Sequence, residues 1–162
     1  MVTLPLHHAS FSCREKLVEL LITKYKYPVD CRNNKHLTPL CLACSNGRLS
    51  VVRMLVLEHK ADLNARCKNS NTPLNIAAWC GQSDVVKCLI EEFSCSPNMK
   101  GFESGTILHQ TCNGGHVELA KTLLTQYNLD PLSVDKNGSS RSSERFNKPK
   151  KNFVEQLHYS YI

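Results

Sequence analysis

The chain repeats itself every 34 residues, and that period limits its fold more than any other feature. Thr38-Pro39-Leu40 recurs as Thr72-Pro73-Leu74 and, one step further, as Thr106-Ile107-Leu108; one step back lies Leu4-Pro5-Leu6. Other columns keep the same step. Gly47, Gly81 and Gly115 are in register. So are Val51, Val85 and Leu119, with Leu17 before them, and Leu55, Leu89 and Leu123, with Leu21 before them. Asp30, Asn64 and Asn98 form a further column. A fixed period of this length belongs to architectures in which one supersecondary unit is stacked several times.

Each column has a physical meaning. A threonine side chain caps a helix, and proline suits the first helical turn because its missing N–H costs nothing there. Thr38-Pro39 and Thr72-Pro73 therefore start a short helix. The glycine column stops it at a position suited to a left-handed backbone. A second helix follows, with Asp84 and Glu118 near its positive end and with Val51, Val52, Leu55 and Val56 spaced for one helical face. Asn-rich segments such as Arg66-Cys67-Lys68-Asn69-Ser70-Asn71 connect the units as turns. Two short helices cannot bury their own apolar face, but stacked copies bury each other's. The expectation is an elongated solenoid whose working part is a concave surface rather than a closed pocket.

These residues resemble the ankyrin-repeat family. Thr38-Pro39-Leu40, Ala77-Ala78, Gly115-His116, Val85-Val86 and Ala61-Asp62-Leu63-Asn64 carry the family pattern. The resemblance implies an all-α fold, an ankyrin-repeat solenoid of stacked helix-turn-helix units with β-turn fingers. It covers residues 1–138, in units of approximately 1–33, 34–67, 68–101 and 102–138. Partners of the family usually bind along the fingers and inner helices. The motif histidine is present as His7 and His109, with Cys41 and Asn75 in its place in the middle units. Cys13 occupies the glycine column of the first unit, where a side chain implies strain. That unit lacks its finger. Asp135-Lys136-Asn137-Gly138 reads as the opening of a fifth unit that then fails, with Arg141-Ser142-Ser143 standing where Pro-Leu-His belongs. Neither end shows an obvious polar cap, which suggests a fragment, a truncated gene product or one piece of a longer array.

Residues 139–162 are rich in Ser, Lys and Arg and read as a basic, disordered tail. Lys148-Pro149-Lys150-Lys151 is either a localisation or phosphate-binding patch or, more simply, a solvated linker. Phe153, Val154, Leu157, Tyr159 and Tyr161 suggest a short amphipathic cover for the open end of the stack.

Composition removes several function classes. The N-terminus has no basic start followed by an apolar run, and no stretch approaches the roughly eighteen apolar residues of a membrane span. The nine cysteines, an odd number without framework spacing, are read as thiols in a reducing compartment. The expected location is intracellular, in the cytoplasm or nucleus, so the sequon Asn137-Gly138-Ser139 is expected to go unused. Net charge is +6, with five Lys/Arg against two Glu in residues 139–162 and fifteen against twelve Asp/Glu before them. That body is too mildly basic for a dedicated nucleic-acid binder. Cys41-x-x-Cys44 resembles half of a zinc site, but no second pair follows, and free cysteine often serves as a small buried hydrophobe. Cys112 and His116 suggest a thiol–imidazole pair, yet Gly114-Gly115 break the helix between them. With no paired-carboxylate site, phosphate loop or nucleophile elbow, the chain is not read as an enzyme, and no cofactor or metal is expected.

The candidate binding residues are Arg32, Lys35, His36, Arg66, Lys68, Trp79, Lys100, Phe102 and Lys136. Arg32, Arg66 and Lys100 share one column, and Lys68, Phe102 and Lys136 share the next-but-one. On stacked fingers these make a ladder for an acidic, extended segment of a partner protein, although exposed turns are also charged for solubility alone. Trp79, the only tryptophan, falls near the end of an inner helix, as an aromatic anchor or as packing against the next unit. The leading expectation is a monomeric intracellular scaffold or adaptor that binds a protein through its concave face and fingers. Two alternatives stand beside it. One is the substrate-recognition part of a ubiquitin-ligase receptor, since Glu58-His59-Lys60-Ala61-Asp62 with Asn71-Thr72-Pro73-Leu74 is similar to Fem-type receptors. The other is a regulatory segment of a larger channel or kinase.

Overall fold

The structure, a computed structural model, describes residues 4–102 and 105–130. Within them helices come in pairs at the 34-residue step. They are α1 (Pro5–Phe11) with α2 (Glu15–Thr23), α3 (Pro39–Ser45) with α4 (Leu49–Leu57), α5 (Pro73–Trp79) with α6 (Ser83–Glu91), and α7 (Ile107–Gly114) with α8 (Val117–Gln126). The short inner helices α1, α3, α5 and α7 pack in succession, and the outer helices α2, α4 and α6 form a second row. The described residues contain no strand, so the fold is the all-α solenoid that the period implies. The opening of a fifth unit at 135–138 and the tail from 139 lie outside the described residues.

The local signals act as their chemistry requires. The Thr38 and Thr72 side chains accept from the backbone N–H of Cys41 at 3.3 Å and of Asn75 at 3.4 Å. Gly47, Gly81 and Gly115 have φ of 66°, 71° and 79°. Cys13 keeps the same left-handed turn at φ 57° without glycine's freedom. A second left-handed column, Lys26, Lys60, Ser94 and Asn128, ends each outer helix. It carries no glycine and had no signal in the sequence.

Leu21, Val51, Leu55, Val85, Leu89, Leu119 and Leu123 all enter one core that runs through the units. Leu17 departs from its column. It is 37% exposed, whereas Val51, Val85 and Leu119 are 0%, 1% and 3% exposed. Among the described residues no unit precedes the first, and none of them covers that side of α2.

Side-chain bonds to backbone fasten unit to unit. Nε of Arg48 and Nδ2 of Asn46 donate to the Phe11 carbonyl at 3.1 and 2.9 Å. Gln82 donates to the Ser45 carbonyl at 3.1 Å, and His116 Nε2 to that of Trp79 at 2.8 Å. Arg48, Gln82 and His116 occupy one column, so three different side chains reach back to the last residue of the preceding inner helix. The motif-histidine column reaches forward. His7 Nε2 meets the Leu37 carbonyl at 2.8 Å. Asn75 replaces the imidazole well: its Oδ1 accepts from the Thr72 N–H at 3.1 Å, while its Nδ2 donates to the Met99 carbonyl at 3.4 Å. Cys41 keeps only the local half, accepting from the Thr38 hydroxyl at 3.4 Å.

Three outcomes are expected. Gly81→Val forces a β-branched residue to φ 71° and drives its Cβ into the His116 ring, so urea unfolding should show a loss of at least about 2 kcal/mol. Leu89 is fully buried, and Leu89→Ala should cost about 2–5 kcal/mol in the same assay. Burial holds the His7 pKa below its ordinary 6.5, against the smaller opposing effect of its bond to the Leu37 carbonyl. The unfolded chain therefore takes up this proton first, and stability falls as pH drops below about 6.5. His7→Gln should flatten that part of the slope when urea midpoints at pH 7.5 and about 5.5 are compared.

Candidate functional site

The fingers precede each inner helix and are closed by short backbone turns. The His36 N–H donates to the Asn33 carbonyl at 2.8 Å, and the Ser70 N–H to the Cys67 carbonyl at 2.9 Å. His36 and Ser70 stand at the tips with φ of 58° and 61°. Asn33 Oδ1 stiffens the first finger by accepting from the N–H groups of Lys35 at 2.9 Å and Leu37 at 3.0 Å.

The cationic column does two things at once. Arg32 Nη1 donates to the His36 carbonyl of its own finger at 3.3 Å and to the Arg66 carbonyl of the next at 2.6 Å. Arg66 repeats the arrangement, to Ser70 at 2.7 Å and to Lys100 at 2.9 Å. Each guanidinium thus clips one finger to the next, an arrangement that its planar fork of donors permits. Two further bonds join the fingers: the Lys68 N–H donates to the Lys35 carbonyl at 3.1 Å, and the Phe102 N–H to Asn71 Oδ1 at 2.7 Å. The ladder predicted from spacing is present as a stack, but part of its arginine donors is spent on backbone.

Arg32, His36, Arg66, Lys68 and Lys100 are exposed, Lys35 is half-buried, and Phe102 is 38% exposed. Every charged residue in the described finger stretches 31–37, 65–71 and 99–102 is a cation. Glu103 follows in the sequence, outside the described residues, as does Lys136. Most acids lie on the outer helices and their ends, where Glu92 pairs with Arg53 and Glu118 with Lys121, while Asp30 and Asp62 stand between outer helix and finger, with Asp30 accepting from the Asp62 N–H at 3.1 Å.

Trp79 lies elsewhere. It closes α5, at the opposite end of that helix from the finger, about 10 Å away at 1.5 Å per residue. It is half-buried and belongs to neither apolar cluster of the core. Fingers and tryptophan therefore mark two edges of the inner-helix surface. The column of Arg48, Gln82 and His116 went unremarked in the sequence, although a long hydrogen-bonding side chain recurring at one register position was the available signal.

The cysteines behave as core residues. Cys41 joins Leu37, Leu42 and Ile76 in a small cluster, while Cys44 joins the main core. The two thiols of the C-x-x-C pair thus serve different clusters. Burial pushes the Cys41 thiol up to about 11, and the Cys80 thiol up to about 12. Such thiols stay protonated at neutral pH and are poor nucleophiles and poor metal ligands. Cys112 is buried in the core while the His116 imidazole is held by the Trp79 carbonyl. Among the described residues no group of three or more His, Cys, Asp or Glu side chains is placed to hold a metal ion. Among them, too, no helix is long and apolar enough to cross a membrane.

In comparison with known families, a model of ankyrin repeats, in three copies, matches residues 6–101. No curated protein matches the chain.

Arg66→Met should remove both finger clips from one guanidinium while keeping the aliphatic stem. We expect a loss of about 1–2 kcal/mol and faster amide hydrogen exchange at Ser70 and Gly101, with the core amides of α5 unchanged.

Proposed function

Because the chain belongs to the ankyrin-repeat family, whose repeats generally mediate protein–protein interaction, we propose that it is an interaction module, a scaffold or adaptor, that takes an acidic, extended segment of a partner protein along its fingers. The observation that carries this reading is the stack of clipped fingers that bear a column of cations. Packed helices lie 8–10 Å apart, and an extended peptide advances about 3.3 Å per residue. An acidic side chain at every third position of a partner would then meet one finger after another. The clips matter to binding as well as to stability. Fingers already held in register have little freedom left to lose when the partner docks. Phe102 supplies an apolar contact beside the charges, and Trp79 an aromatic anchor at the far edge of the inner helices.

We read the chain as a binding module rather than an enzyme; burial raises the Cys41 and Cys80 thiols, which makes these two poor nucleophiles. We place the module inside the cell and read it as monomeric.

The test is affinity capture from lysate, followed by mass spectrometry, with Lys68→Glu/Lys100→Glu beside the parent. These lysines are chosen because their side chains are exposed, whereas Arg32 and Arg66 hold the fingers. The parent should capture a specific protein that the variant loses by at least tenfold, with binding weakened by salt. Equal capture by both would remove the fingers from the binding face.

A further inference from the structure

In the first and third units the motif-histidine column holds the finger that follows. His7 meets the Leu37 carbonyl at 2.8 Å, and Asn75 donates to the Met99 carbonyl at 3.4 Å. In the second unit the Cys41 sulfur bonds only to the Thr38 hydroxyl at the start of its own helix. No side chain of this column therefore reaches the finger at 65–71.

What that finger offers Cys41 is a second thiol. Cys67 packs against the small cluster of Leu37, Cys41, Leu42 and Ile76. The repeat shows how directly it faces Cys41. One step on, position 67 becomes Gly101 and position 41 becomes Asn75. A Cβ placed on Gly101 would lie 2.8 Å from Cγ and Oδ1 of Asn75. A side chain at position 67 thus points at the side chain at position 41. A disulfide needs this kind of approach, since its Cβ atoms sit about 3.5–4.5 Å apart. The two thiols differ in access. Cys41 is 1% exposed, whereas Cys67 is half-buried between the exposed Arg66 and Lys68, whose charges draw an anionic reagent.

We propose that Cys67 and Cys41 form a redox modification site: Cys67 takes up a small anionic disulfide, and Cys41 then closes a Cys41–Cys67 bond that ties the 65–71 finger to α3. Cys67, as its thiolate, attacks one sulfur of the small disulfide, whose S–S bond breaks and releases one small thiolate. Cys41 then gives its proton to water, its sulfur attacks that of Cys67, and the second small thiolate leaves. Each small thiolate takes up a proton. Two protein thiols are oxidised, and one small disulfide is reduced to two thiols. Burial keeps Cys41 protonated and makes the second step the slow one. The fixed place of Cys41 beside Cys67 offsets this through a high effective concentration.

The probe is oxidised glutathione, added to the reduced full chain. The reaction is quenched by alkylation and mapped by mass spectrometry. The expected product is a linked Cys41–Cys67 peptide pair that has lost two hydrogens. Cys41→Ser should stop at one glutathione on Cys67, and Cys67→Ser should leave Cys41 reduced. In the closed chain, amide exchange at Lys68 and Ser70 should slow at least tenfold, and the melting midpoint should rise by roughly 5 °C or more. Dithiothreitol should reverse both changes, and neither should appear in Cys41→Ser treated alike. Linkage of either thiol to another cysteine, a Cys67 adduct that never closes in the parent chain, or a closed chain whose finger exchanges as fast as the reduced one would overturn the proposal. Added salt should slow the first step at least threefold or so; a rate indifferent to salt would overturn the choice of an anionic reagent.

Discussion

The whole molecule depends on each unit burying the next. A pair of helices of seven to ten residues is too short to be stable alone in water, and its apolar face has no partner within the pair. Stacking supplies that partner. Leu55, Leu89 and Leu123 disappear into one continuous core, and the left-handed turns at Gly47, Gly81 and Gly115 let the chain reverse tightly enough to present that face. Hydrogen bonds then fix the register that burial alone leaves loose. Arg48, Gln82 and His116 reach back, while His7 and Asn75 reach forward. Each satisfies a carbonyl that no helix ladder would satisfy, so a shift of register would lose several bonds together.

Register in turn makes the candidate surface. The fingers form a ladder only because the units beneath them repeat at a constant step. Arg32 and Arg66 transmit that step to the fingers by clipping carbonyl to carbonyl. The same residues thus contribute to architecture and to a positive surface, and the two roles separate by atom. Donors that face neighbouring backbone hold the stack, while the lysines Lys68 and Lys100 extend into solvent. Mutating the arginines would confuse loss of structure with loss of charge, and the lysines avoid that confusion.

Much of this was legible in the sequence, for a definite reason. A repeat displays each structural requirement several times, so Thr-Pro at a helix start and glycine at a reversal stand out as columns. The legible part ended where the requirement is not tied to one residue type. The left-handed column of Lys26, Lys60, Ser94 and Asn128 uses four positions with no glycine; in the first three units backbone bonds from Tyr27, Ala61 and Cys95 back to Leu21, Leu55 and Leu89 close the turn. The back-reaching column uses arginine, glutamine and histidine, whose shared property is a donor at the end of a side chain. The spacing of Arg32 and Arg66 was plain, but how their donors are divided between backbone and solvent is a matter of Å-scale geometry that spacing does not record. Leu17 fits its column by chemistry and departs from it by environment, since exposure depends on a neighbour as well as on the residue.

The central claim is that clipped, cationic fingers read an extended acidic segment. It is tested most directly by titrating the isotope-labelled chain with an unstructured Gly/Ser peptide carrying glutamate at every third position, followed by amide NMR. A peptide of the same composition with its glutamates clustered serves as the control. The account predicts saturable shifts at the amides of Lys68, Ser70, Lys100 and Gly101, with the spaced peptide binding more tightly than the clustered one. Shifts confined to the outer helices, or equal affinity for both peptides, would contradict it.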